Sequence, residues 1–188
     1  MTTAHRAARF AAVCMFLAAL ALATVCATGK AWAGPRGGIS AVSADPAPPT
    51  GPTGTAGLVG GRAIAPLDAP AAVRRVIAAA NRIRTKPYVW GGGHGRWWDR
   101  GYDCSGAVSY ALRGGDFIDS PLPSGPMERW GRPGAGRWIT VYTNPGHAYA
   151  VIAGLRWDTS GNSRGTGPRW HAEMATSRGF IARHPPGY

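Results

Sequence analysis

The chain has 188 residues, a formal net charge of +12, 45% apolar residues and three cysteines. That length holds one domain with a real core, and so few cysteines exclude a disulfide-stapled scaffold. The positive charge favours polyanionic partners, although arginine supplies most of it in a chain also rich in glycine and alanine, a composition that high genomic GC content alone produces.

Arg6 and Arg9 precede an apolar run from Phe10 to Ala27, and Ala31-Trp32-Ala33 closes it with small residues. This pattern predicts a signal peptide over residues 1–33, cut after Ala33. Left uncut, the run approaches the length that spans a bilayer and would serve as a membrane anchor. Cys14 and Cys26 leave with the leader, and Val25 before Cys26 departs from a lipidation site. The mature chain of 155 residues then carries +9, since Arg6, Arg9 and Lys30 are lost. Export directs the preference for polyanions toward an anionic cell envelope and away from nucleic acid, for which charge is the sole argument. The expected localisation is secreted or associated with the cell wall.

From Gly34 to Gly61 the chain has 13 Gly or Pro in 28 residues and few large apolar groups. Such a stretch reads as a flexible tether, so residues 34–66 are expected to be a linker and 67–188 the folded domain. Asp68 stands where an N-cap belongs, and Val73, Val76, Ile77, Ala80 and Ile83 recur at helical spacing until Lys86-Pro87 ends the pattern. Gly91 to Gly95 reads as a mobile loop. Asp103 is placed to cap a second helix from about Cys104 to Leu112, stopped by Gly114-Gly115. Trp138 to Tyr142 and His147 to Leu155 read as strands around the turn Asn144-Pro145-Gly146. Helices followed by an antiparallel sheet give an α+β class. Without disulfides, Trp90, Trp97, Trp98, Trp130, Trp138, Trp157 and Trp170 are expected in the core or along a cleft.

Cys104 is the one cysteine left after the leader, and it sits in a first helical turn. Free N–H groups and the helix dipole at that end favour thiolate over thiol, and the thiolate is the nucleophile. A thiolate needs an imidazole partner, for which His147, opening a strand beside a turn, is better placed than His94, His171 or His184. A third polar group usually orients the ring, and Asp158 is positioned to reach back from a neighbouring strand. The alternative is a buried inert cysteine beside a satisfied histidine.

At these residues the chain resembles the NlpC-type cysteine peptidases of bacterial cell-wall endopeptidases, over roughly Ala69 to Asp158. Tyr88-Val89-Trp90-Gly91-Gly92 is similar to the family's Y-x-W-G-G, and Asp103-Cys104-Ser105-Gly106 to its D-C-S-G. His147-Ala148-Tyr149-Ala150-Val151 resembles the strand that carries the family's catalytic histidine. The resemblance implies a papain-like α+β fold with N-terminal helices on a small antiparallel sheet. It implies cleavage of a peptidoglycan stem-peptide bond through a thioester acyl-enzyme, by a monomer that needs no cofactor and no metal. Cys104 would be the nucleophile, His147 the base and Asp158 the orienting group, with His171 as the alternative third residue. Tyr88 and the Cys104 N–H would hold the oxyanion, and Asp103 and Ser105 would border the substrate. Asp103 has two readings, a helix cap or a partner for the free amine of a stem peptide.

The chain departs from the family in two places. Gly136-Arg137 replaces the usual Gly-Asp, and residues 159–169 are unusually rich in Gly, Ser and Arg. The family also places His, Asn or Gln, rather than Asp, at the third position. No H-E-x-x-H or paired C-x-x-C spacing supports a zinc peptidase, and the glycine loop lacks the Lys-Ser/Thr of a phosphate-binding loop. The rival of a different class is a catalytically silent, secreted wall-binding module.

Overall fold

The computed structural model describes residues 54–161 and 167–188. The predicted signal peptide and the part of the predicted linker before Gly54 lie outside them. The elements are β1 (Gly57–Val59), β2 (Arg62–Ile64), α1 (Ala71–Ile83), α2 (Cys104–Gly114), α3 (Ser124–Met127), β3 (Arg132–Pro133), β4 (Ile139–Asn144), β5 (His147–Ile152), β6 (Leu155–Asp158), β7 (Arg169–His171) and β8 (Ile181–His184). This is an α+β fold, with a six-stranded antiparallel sheet in the order β3-β8-β4-β5-β6-β7 and a separate β1–β2 hairpin.

The helical spacing of α1 sends Val73, Val76, Ile77, Ala80 and Ile83 inward, where each is 2% exposed or less. They join Ala107, Val108, Ala111 and Leu112 of α2 in the core, together with Ile139, Val141, Ala150, Ile152 and Trp157 of the sheet. Burying that many aliphatic side chains supplies the main stabilisation of the described residues, whose cysteine, Cys104, is free. Trp157 Nε1 donates to the Ala107 carbonyl at 3.1 Å, which fixes α2 against β6.

The expected linker does not extend to residue 66. Residues 57–64 form the hairpin, and Asn81 of α1 holds it: its Oδ1 accepts from the Ala63 N–H at 3.1 Å and from Trp170 Nε1 at 3.0 Å, while its Nδ2 donates to the Ala63 carbonyl at 2.8 Å. A buried amide is tolerated when its donors and acceptors are met in this way, and this one joins hairpin, helix and β7. Asp68 does not cap α1. Pro70 occupies the N-cap position without a side-chain bond, and Asp68 accepts from the Gly54 N–H at 2.8 Å instead.

The predicted strand from His147 to Leu155 is two strands. Ala153 and Gly154 both have positive φ, 45° and 81°, and turn β5 back into β6. This is the backbone that a two-residue hairpin loop requires. It brings Asp158 alongside the start of β5. Among the described residues no helix is long and apolar enough to cross a membrane.

Trp138, Trp157 and Trp170 are buried, and Trp97 and Trp130 pack partly against the core. Trp90 lines a cleft at its open lip, whereas Trp98 is exposed with Lys86 Nζ 4.4 Å above its ring.

Candidate active site

Cys104 opens α2, and its neighbour Asp103 caps the helix by accepting from the Gly106 N–H at 2.7 Å. The glycines of the two flanking motifs have a steric cause. A Cβ on Gly106 would collide with the Gly92 carbonyl, and that carbonyl accepts from the Asp103 N–H at 3.2 Å. The Gly-Gly turn therefore presses directly against the first helical turn. A bridge between Tyr88 and Tyr102 closes the base of the loop that separates the motifs.

The loop itself is tied down, contrary to its reading as mobile. Gly93 N–H donates to Asp99 at 3.1 Å, and the Tyr102 hydroxyl donates to the Trp97 carbonyl at 2.7 Å. His94 is consequently part of the site. Its Nε2 lies 3.0 Å from Asp103 Oδ1 and 3.2 Å from Ser105 Oγ. No local pattern marked His94, because its contact is made only when the loop folds back over nine residues.

A cleft of about 290 Å³ opens above the sulfur, lined on one side by Tyr88, Trp90, His94 and Ser105 and on the other by Pro123, Ser124 and Pro145. A larger hollow of about 410 Å³ lies elsewhere, between the hairpin and α1, and holds no nucleophile. The chemistry belongs to the smaller one.

β5 starts beside this cleft and delivers His147. Its Nε2 pairs with Asp158 Oδ1 at 3.0 Å, and its ring also engages Cys104. Asp158 is held in turn by Ser160, whose N–H donates at 3.0 Å and whose hydroxyl donates at 3.1 Å. The ordering is thus Cys104, His147, Asp158. His171 makes no such contact: it is buried opposite Arg156 on β7, and its Nε2 has no hydrogen-bond partner among the described residues.

Electrostatics run in a consistent direction through these residues. The hydrogen bond to Asp158, then the one to Cys104, raise His147 to about 9 against the opposing effect of burial. Burial pushes the Cys104 thiol up, but the His147 hydrogen bond, the Ala148 N–H and the imidazole charge together bring it below its ordinary value. Burial likewise pushes Asp158 up, and His147, the Ser160 N–H and the Arg156 charge outweigh it. Opposite shifts on sulfur and imidazole favour a thiolate–imidazolium pair. Tyr88 is raised by burial and then by the charges of Cys104 and Asp103, which marks its phenol as a neutral donor close to the sulfur.

Asp103 is a cap, as one of its two readings held. Its Oδ1 serves Gly106, His94 and Ser105, and its Oδ2 accepts from the Gly91 N–H at 3.1 Å. A carboxylate oxygen offers about two lone pairs, so Oδ2 retains an acceptor site. Gly136-Arg137 is not among the cleft-lining residues; the Gly136 N–H donates to Thr140, and Arg137 lies over Trp138. Among the described residues no group of three His, Cys, Asp or Glu side chains is arranged to hold a metal ion.

No family model matches the chain, and no curated protein matches it in sequence. Among solved structures the chain is similar to the peptidoglycan hydrolase RipB of Mycobacterium tuberculosis, with 26% identity, a TM-score of 0.48 and coverage of 62% of this chain and 66% of that one. It is similar to the P60 domain of an antigen from M. avium subspecies paratuberculosis, with 22% identity, a TM-score of 0.45 and coverage of 60% and 93%. It is also similar to RipD of M. tuberculosis, described as a non-catalytic NlpC/p60 domain protein adapted to peptidoglycan binding, with 18% identity, a TM-score of 0.45 and coverage of 62% and 98%. The chain spans about three fifths of the length of the RipA structures it matches, 61% in one of them.

Proposed function

We propose that this protein is a secreted cysteine endopeptidase that cleaves a stem-peptide bond of peptidoglycan. The observation that carries the reading is that Cys104, which lines an open cleft, is hydrogen-bonded to His147, and His147 in turn pairs with the buried Asp158 at 3.0 Å. The D-C-S-G and Y-x-W-G-G motifs around it support peptidoglycan as the substrate class. The predicted leader supports export, and the protein acts as a monomer on an anionic wall.

In this reading the Cys104 thiolate attacks the scissile carbonyl carbon, and the carbonyl π-electrons move onto oxygen. The α2 N-terminus, the Cys104 N–H and the Tyr88 hydroxyl face that oxyanion, where preorganised donors act most strongly. Collapse breaks the C–N bond, and the His147 imidazolium gives its proton to the departing amine. The neutral imidazole then takes a proton from water, which attacks the thioester; the C–S bond breaks, and the acid and the thiolate–imidazolium pair are released or restored. Asp158 keeps the ring oriented throughout.

Incubation of the purified protein with peptidoglycan, followed by mass spectrometry of the muropeptides, tests this. New peptide termini are expected, and both Cys104→Ala and a thiol alkylator should abolish them. Absence of new termini from the wild-type protein, with retained wall binding, would leave the silent module as the better description.

A further inference from the structure

Arg156 is a charge buried where the proposed chemistry makes no direct use of it. On β6 the side chains alternate, so Trp157 points to α2 while Arg156 and Asp158 share the opposite face. Arg156 is 7% exposed, and its Nε has no hydrogen-bond partner among the described residues. A Cβ on Gly161 would collide with its guanidinium, so backbone closes over the group from one side. A buried cation normally persists only beside a compensating anion. Among the described residues its ion-pair partner is Asp158, whose Oδ2 lies 3.8 Å from Arg156 Nη1.

Among the described residues the other carboxylate nearby is Glu173, whose charge acts on His171 and which forms no ion pair with Arg156. His171 faces Arg156 from β7, and burial together with the Arg156 charge holds it neutral. Arg169, opposite Asp158 on β7, directs its Nε to the Gly167 carbonyl. His147 approaches Asp158 from β5 through the other carboxylate oxygen, Oδ1. Tyr149 of β5 is kept un-ionised by burial, with its phenol pushed up to about 12. Asp158 is thus gripped at Oδ1 by the imidazole, while its Oδ2 accepts from the Ser160 hydroxyl at 3.1 Å and faces the guanidinium.

We propose that Arg156 is a positioning residue of the nucleophilic site: its buried charge joins His147 and Ser160 in keeping Asp158 a carboxylate, and the carboxylate holds His147 against Cys104. A carboxylate as deeply buried as Asp158 is driven toward its neutral acid, and a neutral acid would support the imidazolium poorly. A neutral amide or imidazole at the third position would need no such counter-charge. The choice of Asp at this place therefore explains the buried arginine two residues before it. The inference rests on the proposed catalytic order but acts on the ionisation of Cys104, which is measurable without turnover.

The test follows the pH dependence of Cys104 alkylation by iodoacetamide, alongside hydrolysis of peptidoglycan. Arg156→Met, similar in length and uncharged, should move the alkylation midpoint upward by about one pH unit, a tenfold loss of thiolate at a fixed pH on the acid side. It should lower kcat with KM little changed. Arg156→Lys should restore most of both. In an Asp158→Asn background Arg156→Met should add little, since the charge it supports is gone. A folded Arg156→Met protein with the wild-type alkylation profile would overturn the inference. Should Arg156→Met not fold, Arg156→Lys decides: a near-wild-type profile supports the role of charge, and a profile matching Asp158→Asn overturns it. Shifted alkylation in a protein that hydrolyses nothing would instead leave this inference standing and remove the proposed function.

Discussion

Two imidazole–carboxylate pairs flank the same sulfur, each with a 3.0 Å contact, yet they act on it in opposite ways. In His147–Asp158 the carboxylate is buried behind the ring, and the ring is free to reach Cys104. In His94–Asp103 the carboxylate lies beside the sulfur and also caps α2, and the ring sits beyond it. The first pair lowers the thiol through an adjacent cation, whereas the Asp103 charge raises it. Order along the line of contact, rather than the presence of histidine and aspartate, decides whether such a pair activates a thiol. The conflict is softened because Asp103 also accepts from the Gly106 and Gly91 N–H groups and pairs with His94.

The strongest way to break this comparison is His147→Ala. Removing the one cation at the sulfur leaves burial and Asp103, both of which raise the thiol, opposed by the Ala148 N–H. The alkylation midpoint should move well upward, and hydrolysis should fall by about a thousandfold or more. Adding Cys104→Ala should cost little beyond that, since the two work as one unit. Retained hydrolysis in His147→Ala together with its loss in His94→Ala would invert the assignment of the two pairs.

Asp158→Asn is a smaller change that sharpens the same contrast. The amide keeps a hydrogen-bonding group behind the ring but removes the charge that, with the Cys104 contact, raises His147 to about 9. His147 should titrate lower and the thiol higher, with hydrolysis reduced on the order of tenfold to a hundredfold. In the wild-type protein, activity on the acid side should fall as the Cys104 thiolate is protonated, below the ordinary thiol range because its value is lowered, while Asp158, depressed below the ordinary carboxylate range, stays ionised to lower pH. In Asp158→Asn that acid limb should lie at higher pH, because the thiol loses part of its imidazolium support. NMR titration of His147 reads the first shift, and a His147 value unmoved by the substitution would detach Asp158 from the ring.

Much of this arrangement was legible because it is local. Asp103 caps the helix that Cys104 opens, and a cap three residues from its N–H partner leaves a sequence signature. His147 follows a turn whose Asn-Pro-Gly residues announce it. What was hidden depends on distant partners or on unusual backbone. The hairpin at residues 57–64 lies in glycine-rich sequence and owes its place to Asn81, reached only through tertiary packing. The β5–β6 turn uses positive φ at Ala153, a residue that does not advertise it. Asp68 resembled a cap, but Pro70 fixes the approach to α1 and leaves the carboxylate to Gly54. His94 lies in a glycine loop, and nothing within a few residues of it signals the fold-back onto Asp103.

Asp103→Asn is the mildest of the expected changes, and it separates the two jobs of that residue. Asparagine caps helices about as well as aspartate, so the thermal stability should shift by no more than about 1 kcal/mol. The negative charge beside the sulfur disappears, however, and its opposition to thiolate formation goes with it. The Cys104 alkylation midpoint should therefore move downward, the reverse of the shift expected for His147→Ala and Asp158→Asn. If the open acceptor site on Oδ2 also receives a substrate ammonium, KM for a stem peptide with a free amine should rise while kcat holds, because an interaction made equally in ground and transition states is lost. A peptide whose amine is acetylated should then show the same KM with either residue. An upward alkylation shift in Asp103→Asn would mean that the carboxylate supports the thiolate through its neighbours, and the contrast between the two pairs would fall.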